Sequence, residues 1–301
     1  MADFFQEKVA VISGAGNGLG KSHALMFAKL GARVVVNDYG TSPLGQGTDK
    51  SPADTVVGEI KASGGEAVAN YDSVENGDRL VEAALDTFGR IDIVINNAGF
   101  LRDSSFHKMS DDDWFSIINV HLNGAYKVNR AAWPHMREQN FGRIVNTASA
   151  AGIYGNFGQV NYSTAKLALH GMTQALAIEG KKRNIHVNTI APAAASRMTD
   201  TVISRDQIAA LRPELVSVLV ACLCRDQSEE TSGLFEVGAG WFGKLRWERS
   251  KGVHLPGDVS VEDVIENFDA IIDFENAAHP KNIAEAFEPF GAALGASVAS
   301  R

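Results

Sequence analysis

The sequence has few cysteines and no long apolar run. Its 301 residues include two cysteines, Cys222 and Cys224. They stand two apart in a helical pattern, so their side chains point in different directions and are poorly placed to pair. Because there is no disulfide framework, we expect a reducing, intracellular compartment. No apolar segment reaches the roughly 18 residues that a membrane-spanning helix requires, so membrane insertion is not expected.

Recognisable targeting signals are also missing. Residues 1–8 show no basic region followed by an apolar run, so no signal peptide is predicted. The last residues do not read Ser-Lys-Leu, the peroxisomal signal. We therefore expect a cytoplasmic protein. The alternative is the peroxisomal matrix, if the chain is a region cut from a longer enzyme.

Positive charge is scarce as well. Lysine and arginine total 28 against 36 aspartates and glutamates, which gives a net charge of -8. This balance argues against nucleic acid or an anionic membrane surface as the main partner. Hydrophobic residues make up 45% of the chain, enough to fill a sizeable core. Local basic clusters can still bind an anionic ligand. We predict no metal site.

Short β-branched segments alternate with helical patterns along the first 240 residues. Such alternation indicates a parallel sheet with helices on both faces. We predict one doubly wound α/β Rossmann domain over residues 1–240, with a seven-stranded parallel sheet, and a helical extension over 241–301 packed on the same domain. The predicted strands are 8–13, 33–37, 66–70, 91–96, 143–147, 185–190 and 234–237, and the predicted helices are 19–30, 53–62, 77–88, 110–139, 165–181 and 261–275.

A glycine-rich turn follows the first predicted strand and opens a helix, which is the context of a phosphate-binding loop. Glycines allow the backbone to turn tightly and to approach a pyrophosphate closely. The start of the helix then directs its free N–H groups at the phosphates. The residues predicted to contact the nucleotide here are Gly14, Gly16, Asn17, Gly18, Leu19 and Gly20.

Asp38 ends the second predicted strand, 18 positions after Gly20. A carboxylate at this point accepts hydrogen bonds from the ribose hydroxyls of the adenosine and repels a 2′-phosphate. Its neighbours Asn37 and Tyr39 are not basic, so nothing beside it is suited to the extra phosphate of NADP. We therefore predict NAD as the cofactor. The alternative is that Asp38 only caps a loop.

Tyr162 and Lys166 stand four apart in a helical pattern, so both side chains can reach the same small volume. A nearby cation favours the phenolate and lowers the pKa of the tyrosine, and an oxidised nicotinamide ring would lower it further. Tyr162 can then act as a general base towards a substrate hydroxyl. Ser149 follows the fifth predicted strand, at the sheet edge where ligands bind, and its hydroxyl can hold the substrate oxygen. We predict these three as catalytic residues.

Together these motifs resemble the short-chain dehydrogenase/reductase family over residues 5–240. The resemblance is carried by the glycine-rich turn, by the run Asn-Asn-Ala-Gly at 96–99, and by the three catalytic residues. It implies an NAD-dependent oxidoreductase that assembles as a homodimer or homotetramer through the long helices over 110–139 and 165–181. The residues that the resemblance places against the cofactor are Asp72, Ser73, Asn97, Ala98, Gly99, Tyr162, Lys166, Pro192 and Ala193.

The sequence departs from the family pattern at two positions. Where the family has a catalytic asparagine that holds a water in a proton relay, the aligned residue is His121. Either His121 carries the relay and is a fourth catalytic residue, or it is structural and solvent reaches Lys166 directly. Ala193 replaces the glycine that commonly follows Pro192, a change expected to alter only the loop.

Further segments resemble a subgroup of the family, the dehydrogenase units of peroxisomal multifunctional enzymes type 2 and their stand-alone bacterial relatives. These units oxidise (3R)-hydroxyacyl-CoA to 3-ketoacyl-CoA with NAD, and some members also oxidise steroid hydroxyls. The resemblance implies an acyl-CoA as substrate, with a hydroxysteroid or other secondary alcohol as the alternative. A non-catalytic NAD-binding subunit is a third possibility. The segments are 37–40, 69–74, 152–158, 233–241 and 243–249, together with the polar insertion at 40–51.

A CoA thioester needs cations for its phosphates and an apolar trough for its acyl chain. The candidates for the phosphates are Lys244, Arg246, Arg249 and Lys251, and those for the trough are Phe157, Trp241, Phe242 and Trp247. Alternatively, the aromatic residues pack the extension onto the domain or form a subunit interface.

Overall fold

An eight-stranded sheet lies at the centre of the computed structural model, which describes residues 4–42, 44–194 and 211–299. The strands are β1 Val9–Ser13, β2 Arg33–Asn37, β3 Ala67–Asn70, β4 Ile93–Asn96, β5 Gly142–Thr147, β6 Ile185–Ala193, β7 Leu234–Gly238 and β8 Trp241–Leu245. Their order across the sheet is β3-β2-β1-β4-β5-β6-β7-β8. The first seven strands pair in parallel, as the sequence predicts.

The strands form because their residues are largely β-branched and buried on both faces. β1 reads Val-Ala-Val-Ile-Ser and β4 reads Ile-Val-Ile-Asn, and every residue in both strands is buried. Parallel strands covered by helices require this pattern. The chain proceeds outward from β1 to β3 on one side and from β4 to β8 on the other. In this architecture, ligands bind in the crevice at the carboxyl ends of β1 and β4.

Helices cover both faces of the sheet through two apolar clusters. The helices are α1 Gly18–Lys29, α2 Ser51–Ala62, α3 Gly77–Phe88, α4 Asp111–Ile117, α5 Gly124–Gln139, α6 Ala150–Tyr154, α7 Val160–Gly180, α8 Pro213–Cys224, α9 Val261–Glu266, α10 Phe268–Ile271 and α11 Ile283–Ala299. One cluster joins α1, α2 and α8 to the sheet, and the other joins α3, α5 and α7 to it. The predicted doubly wound α/β fold is confirmed.

The eighth strand was not predicted. Ala239 and Gly240 connect β7 to β8 with φ values of 49° and 81°. Two successive positive φ values are typical of a type I′ hairpin turn, so β8 returns antiparallel to β7. Trp241 and Phe242, at the start of β8, are both exposed. The strand therefore lacks the buried face that sequence patterns detect.

The predicted helix over 110–139 is interrupted. Ser110 caps α4 by accepting from the backbone N–H of Asp113, as its position before three aspartates predicts. A π-helical segment, Ile118–Asn123, then separates α4 from α5. A π segment adds one residue to a turn without changing the apolar pattern on either side, so the periodicity of the sequence does not reveal it. The predicted helix over 261–275 also breaks, at Asn267, into α9 and α10.

The chain divides by its internal contacts into two compact units, Met1–Lys244 and Leu245–Arg301. In the second unit, Ser260 and Asp263 form a capping box at the start of α9. Both cysteines of the first unit are free thiols. None of the helices that the structure describes has the length and apolar character to cross a membrane. Within the same described ranges, no group of three or more His, Cys, Asp or Glu side chains is arranged to hold a metal ion.

Candidate active site

A cavity of about 840 Å³ opens at the carboxyl ends of the central strands, a size typical of cofactor sites. The predicted site residues that line it are Gly14, Asn17, Gly18, Leu19, Asp38, Asp72, Ser73, Asn97, Ala98, Gly99, His121, Ser149, Tyr162, Lys166, Pro192 and Ala193. Gly16 and Gly20 stand outside the lining and shape the turn from behind. The structure therefore brings together residues in or after six strands that lie far apart in the chain.

Several lining residues were missed from the sequence. Thr41 and Ser42 belong to the polar insertion after β2, and Phe100 directly follows the Asn-Asn-Ala-Gly run. Their proximity in sequence to Asp38 and to Gly99 was the available signal. Neither hydroxyls in a loop nor a single phenylalanine distinguish a cavity wall from an ordinary surface or core position.

The glycine turn after β1 leaves no room for side chains. Gly14 has a φ of +62°, and a Cβ built on it would lie 2.8 Å from the Cα of Ala98. A Cβ on Gly20 would lie 2.1 Å from the carbonyl oxygen of Gly14. Asn97 ties the turn to β4 by donating to the backbone oxygens of Ser13 and Gly14, both at 3.1 Å. The turn is thus fixed, and its bare backbone can approach a ligand closely.

Asp38 joins two backbone turns at the end of β2. Its Oδ2 accepts from the N–H of Gly16 and its Oδ1 from the N–H of Gly40, each at 2.7 Å. Asp38 therefore does cap a loop, the role considered as the alternative from sequence. Each carboxylate oxygen retains a second lone pair, and Asp38 lines the cavity. The capping role is consequently compatible with accepting a hydrogen bond from a ligand hydroxyl.

Ser149, Tyr162 and Lys166 converge at the β5 side of the cavity. Ser149 is the N-cap of α6, and its Oγ accepts from the N–H of Ala151 at 3.2 Å, which leaves its own hydrogen available to donate. Tyr162 and Lys166 are one turn apart on α7, with Lys166 Nζ 5.5 Å from the centre of the Tyr162 ring. Lys166 Nζ also donates to the carbonyl oxygen of Thr147 at 2.6 Å. This bond fixes the position of the ammonium group.

Burial dominates the electrostatics of the pair. It lowers the pKa of Lys166 to about 7, because a charged ammonium is poorly solvated in the interior. Burial also raises the pKa of Tyr162, an effect that the hydrogen bond with Ser149 partly offsets and that the charge of Asp103 increases. The sequence led us to expect a lowered pKa for Tyr162. The protein's own groups instead favour the neutral phenol, because the loss of hydration outweighs the hydrogen bond with Ser149.

His121 lies in the π-helical segment, an irregularity that is frequent at functional sites. Its Nε2 is 2.8 Å from the carbonyl oxygen of Phe100 and 3.2 Å from the N–H nitrogen of the same residue. The shorter contact favours the tautomer that carries the proton on Nε2. Burial and the charge of Lys166 hold the pKa of His121 well below its usual range. The imidazole is therefore neutral, and its ring meets that of Tyr162 edge-on at 5.3 Å.

A second, small cavity of about 10 Å³ lies behind the site, with His121, Thr147 and Lys166 in its wall. This is about the volume that one water molecule needs. Two buried polar atoms, His121 Nδ1 and Thr147 Oγ1, have no hydrogen-bond partner among the residues that the structure describes. Both atoms can accept a hydrogen bond, and the Thr147 hydroxyl can also donate one.

Four of the candidates for acyl-CoA recognition belong to the first unit, and in its described part none of them lines the main cavity. They are Phe157, Trp241, Phe242 and Lys244, and the three aromatic residues among them are exposed. Lys244 forms an ion pair with Glu230 at 2.8 Å, and Arg249 donates to the carbonyl oxygen of Ala286 at 2.8 Å. Arg246 contacts His279 at 3.0 Å. The basic cluster is thus engaged largely within the protein.

The fold, the glycine turn and the Ser-Tyr-Lys arrangement are those expected of a nucleotide-dependent oxidoreductase. A family model described as short chain dehydrogenase matches residues 8–208, and the chain belongs to this family. The family predicted from sequence is therefore confirmed. Its enzymes are oxidoreductases that typically use NAD or NADP.

The relatives narrow the comparison. The chain is 57% identical over 284 residues to peroxisomal multifunctional enzyme type 2 of Mus musculus, which covers 93% of this chain and 39% of that enzyme. It is 45% identical over 275 residues to a short-chain type dehydrogenase/reductase of Mycobacterium tuberculosis, with 90% and 96% covered. The structure of full-length peroxisomal multifunctional enzyme type 2 from Drosophila melanogaster superposes with a TM-score of 0.84 at 39% identity, covering 97% of this chain and 50% of that one. The chain thus spans half or less of these multifunctional relatives.

Proposed function

We propose that the chain oxidises a (3R)-hydroxyacyl-CoA to the 3-ketoacyl-CoA with NAD. The observation that carries this proposal is the convergence of Ser149, Tyr162 and Lys166 in one cavity with a glycine turn built for close backbone approach. The similarity to multifunctional enzymes named as peroxisomal supports the fatty-acyl substrate class. It also supports the peroxisomal alternative for the compartment, while the cytoplasmic location stays a prediction.

The cavity residues fit a dinucleotide. Asn17 makes no side-chain cap to α1, so the first N–H groups of that helix are available to a pyrophosphate. Asp38 can accept hydrogen bonds from ribose hydroxyls, and Lys166 is the one lysine or arginine among the described residues that line the cavity. A 2′-phosphate would therefore meet the carboxylate of Asp38 without a compensating cation, which favours NAD over NADP.

The catalytic residues take distinct roles in the proposed oxidation. Ser149 donates its hydroxyl hydrogen to the substrate oxygen and so positions the alcohol. Tyr162 accepts the proton of that alcohol as the carbon loses hydride. NAD, when bound, supplies the hydride acceptor and a positive charge. Because burial raises the pKa of Tyr162, the phenolate depends on added positive charge from Lys166 and from the oxidised cofactor.

The first test is NADH formation, followed at 340 nm, with NAD and each enantiomer of a medium-chain 3-hydroxyacyl-CoA. We expect turnover of the R enantiomer and little or none of the S enantiomer, since one hydroxyl orientation reaches both Ser149 and Tyr162. Silence with both enantiomers, from protein that binds NADH, would remove the acyl-CoA proposal. A panel of hydroxysteroids and other secondary alcohols would then test the alternative substrates, and silence there too would favour a non-catalytic subunit.

Asp38→Asn is expected to reduce the preference for NAD over NADP roughly ten- to hundredfold, the loss that follows from removing a charged hydrogen-bond acceptor. Asparagine keeps one side-chain oxygen for the turns at Gly16 and Gly40 but lacks the negative charge. The measurement is kcat/KM with each cofactor. Asp86→Asn, the same change on an exposed part of α3, is the matched control. An unchanged preference in Asp38→Asn would show that Asp38 only caps the loop.

We infer that His121 takes part in a proton relay to Lys166 by holding a water in the small cavity through its Nδ1. Phe100 holds Nε2, which leaves Nδ1 at the small cavity shared with Lys166. His121→Ala should therefore lower kcat about tenfold or more, the lower range of proton-transfer effects, and change its pH profile. His121→Asn, which restores polar atoms at this position, should recover part of the rate. If His121→Ala keeps full turnover and the same pH profile, His121 is structural.

Assembly and domain packing also belong to the proposal. Leu167 and Ile178 on α7 are exposed apolar residues, which supports the predicted homodimer or homotetramer through the long helices. The packing of residues 241–301 on the Rossmann domain stays a prediction.

A further inference from the structure

The polar insertion after β2 forms a closed loop. We call residues 40–42 and 44–49 the strap. Its two ends touch, because a Cβ built on Gly40 would lie 1.8 Å from the backbone oxygen of Asp49. Within the loop, the N–H of Ser42 donates to the carbonyl oxygen of Gln46 at 2.8 Å, and the N–H of Gly45 donates to that of Ser42 at 2.9 Å. The strap is thus a compact loop with joined ends, of the kind that often carries function.

The strap crosses the mouth of the nucleotide site. It begins at the end of β2, while its tip, Gly45, meets the ring of Phe100, which follows β4. β1 lies between β2 and β4 in the sheet, so the strap spans two strand spacings, about 10 Å. The glycine turn follows β1 and therefore lies beneath this crossing. Thr41 and Ser42 of the strap line the same cavity as that turn.

The tip rests on a firm support. Phe100 is buried and packs with Ile117 and Ala165 in a small apolar cluster that also includes Tyr162. Its backbone is held by His121 Nε2. The ring of Phe100 therefore cannot move far without disturbing the catalytic residues, and a strap that leaves this ring opens the cavity between β2 and β4.

We propose that the strap retains the bound dinucleotide and that the Gly45–Phe100 contact is its latch. This inference rests on the proposed function in one respect, that the cavity binds a dinucleotide. Gly45 has a φ of +76°, and a Cβ on it would lie 2.7 Å from Cζ of Phe100 and 2.8 Å from each of its two Cε atoms. Even a methyl group at this position must lift the tip from the ring.

The strap contains its own control. Gly47 has a φ of +77°, nearly the same backbone conformation, but a Cβ there would meet nothing within 4 Å among the described residues. Gly45→Ala and Gly47→Ala therefore impose the same backbone strain, and they differ in the contact with Phe100. Any difference between the two variants reports on the latch.

The experiment measures NADH release from the full chain by stopped-flow fluorescence, with the equilibrium Kd as a second readout. Gly45→Ala is expected to release NADH about tenfold faster than Gly47→Ala and to bind it about tenfold more weakly. The added methyl group overpacks the contact with Phe100, and the closed strap loses stability by an amount that corresponds to about this factor. Trypsin cleavage after the exposed Lys50 should be slowed by saturating NADH in Gly47→Ala but not in Gly45→Ala.

The outcomes separate the strap from the proposed function. Equal release rates in the two variants would overturn the latch, whether both match the parent or both exceed it. Parent protein that binds no NADH would overturn the dinucleotide site itself and the strap with it. Matching thermal unfolding of the two variants shows that the difference in release comes from the folded protein.

Discussion

Tyr162→Phe is expected to lower kcat for the proposed oxidation by roughly 10²- to 10⁴-fold, the usual contribution of a positioned general base. The change removes the hydroxyl and keeps the ring, which packs in the cluster with Phe100 and lies edge-on to His121. Cofactor binding and fold should therefore survive. In the parent protein, turnover should rise with pH as the phenol ionises, against the raised pKa of Tyr162, and fall as Lys166, with a pKa of about 7, loses the charge that supports the phenolate. The measurement is kcat across pH together with the Kd of NADH.

The matched control is Tyr126→Phe. Tyr126 lies on α5, is exposed and is hydrogen-bonded to Arg130 at 3.1 Å, so its loss should leave kcat near the parent value. A Tyr162→Phe protein as active as the parent would overturn the catalytic assignment. An inactive Tyr162→Phe protein that still binds NADH and unfolds at the parent temperature would support it.

Ser149→Ala is expected to reduce kcat by roughly 10²- to 10³-fold, the effect of removing one preorganised donor at the reacting oxygen. The Oγ of Ser149 is oriented by the N–H of Ala151 and hydrogen-bonds to Tyr162. The variant therefore loses the one hydroxyl hydrogen that binds Tyr162 in the free protein and the substrate oxygen in the proposed complex. Ser149 also caps α6, and removing this cap should lower the free energy of unfolding by about 1 kcal/mol. Thermal unfolding measures this loss separately from the change in kcat.

Ser163→Ala serves as the control for Ser149. Ser163 is adjacent to Tyr162 on α7, and its buried Oγ has no hydrogen-bond partner among the described residues. Its replacement should leave kcat near the parent value and cost little stability, because no hydrogen bond is lost. Equal activity of Ser149→Ala and Ser163→Ala would remove Ser149 from the mechanism.

The fold was largely predictable from local patterns. β1 and β4 are short, apolar and buried on both faces, so their composition alone indicates a parallel sheet. Ser110 before three aspartates marks the start of α4. β8 was not predictable, because Trp241 and Phe242 are exposed and show no buried alternation. The π segment was hidden because it shifts a helix by one residue without changing its composition.

The candidate site also has features that the sequence predicts and features that it does not. Glycines in a turn, a carboxylate after β2 and the pair Tyr162 and Lys166 carry their chemistry in residue type and spacing, which a sequence displays directly. The charge balance of that pair does not follow from spacing. Proximity of Lys166 predicts a lower pKa for Tyr162, but desolvation depends on how many other chain segments cover the phenol, and here it prevails.

Residue type, order and spacing were therefore sufficient to identify the family and the seven parallel strands and to propose the catalytic trio, because each is visible in short patterns along the chain. Three features arise solely from contacts between distant segments. Asp38 accepts hydrogen bonds from two separate turns, at Gly16 and Gly40. The carbonyl oxygen of Phe100 accepts a hydrogen bond from His121. The tip of the strap reaches across β1 to the ring of Phe100. Burial and long-range contact have no signature at any single position, so these features became visible when the chain was folded.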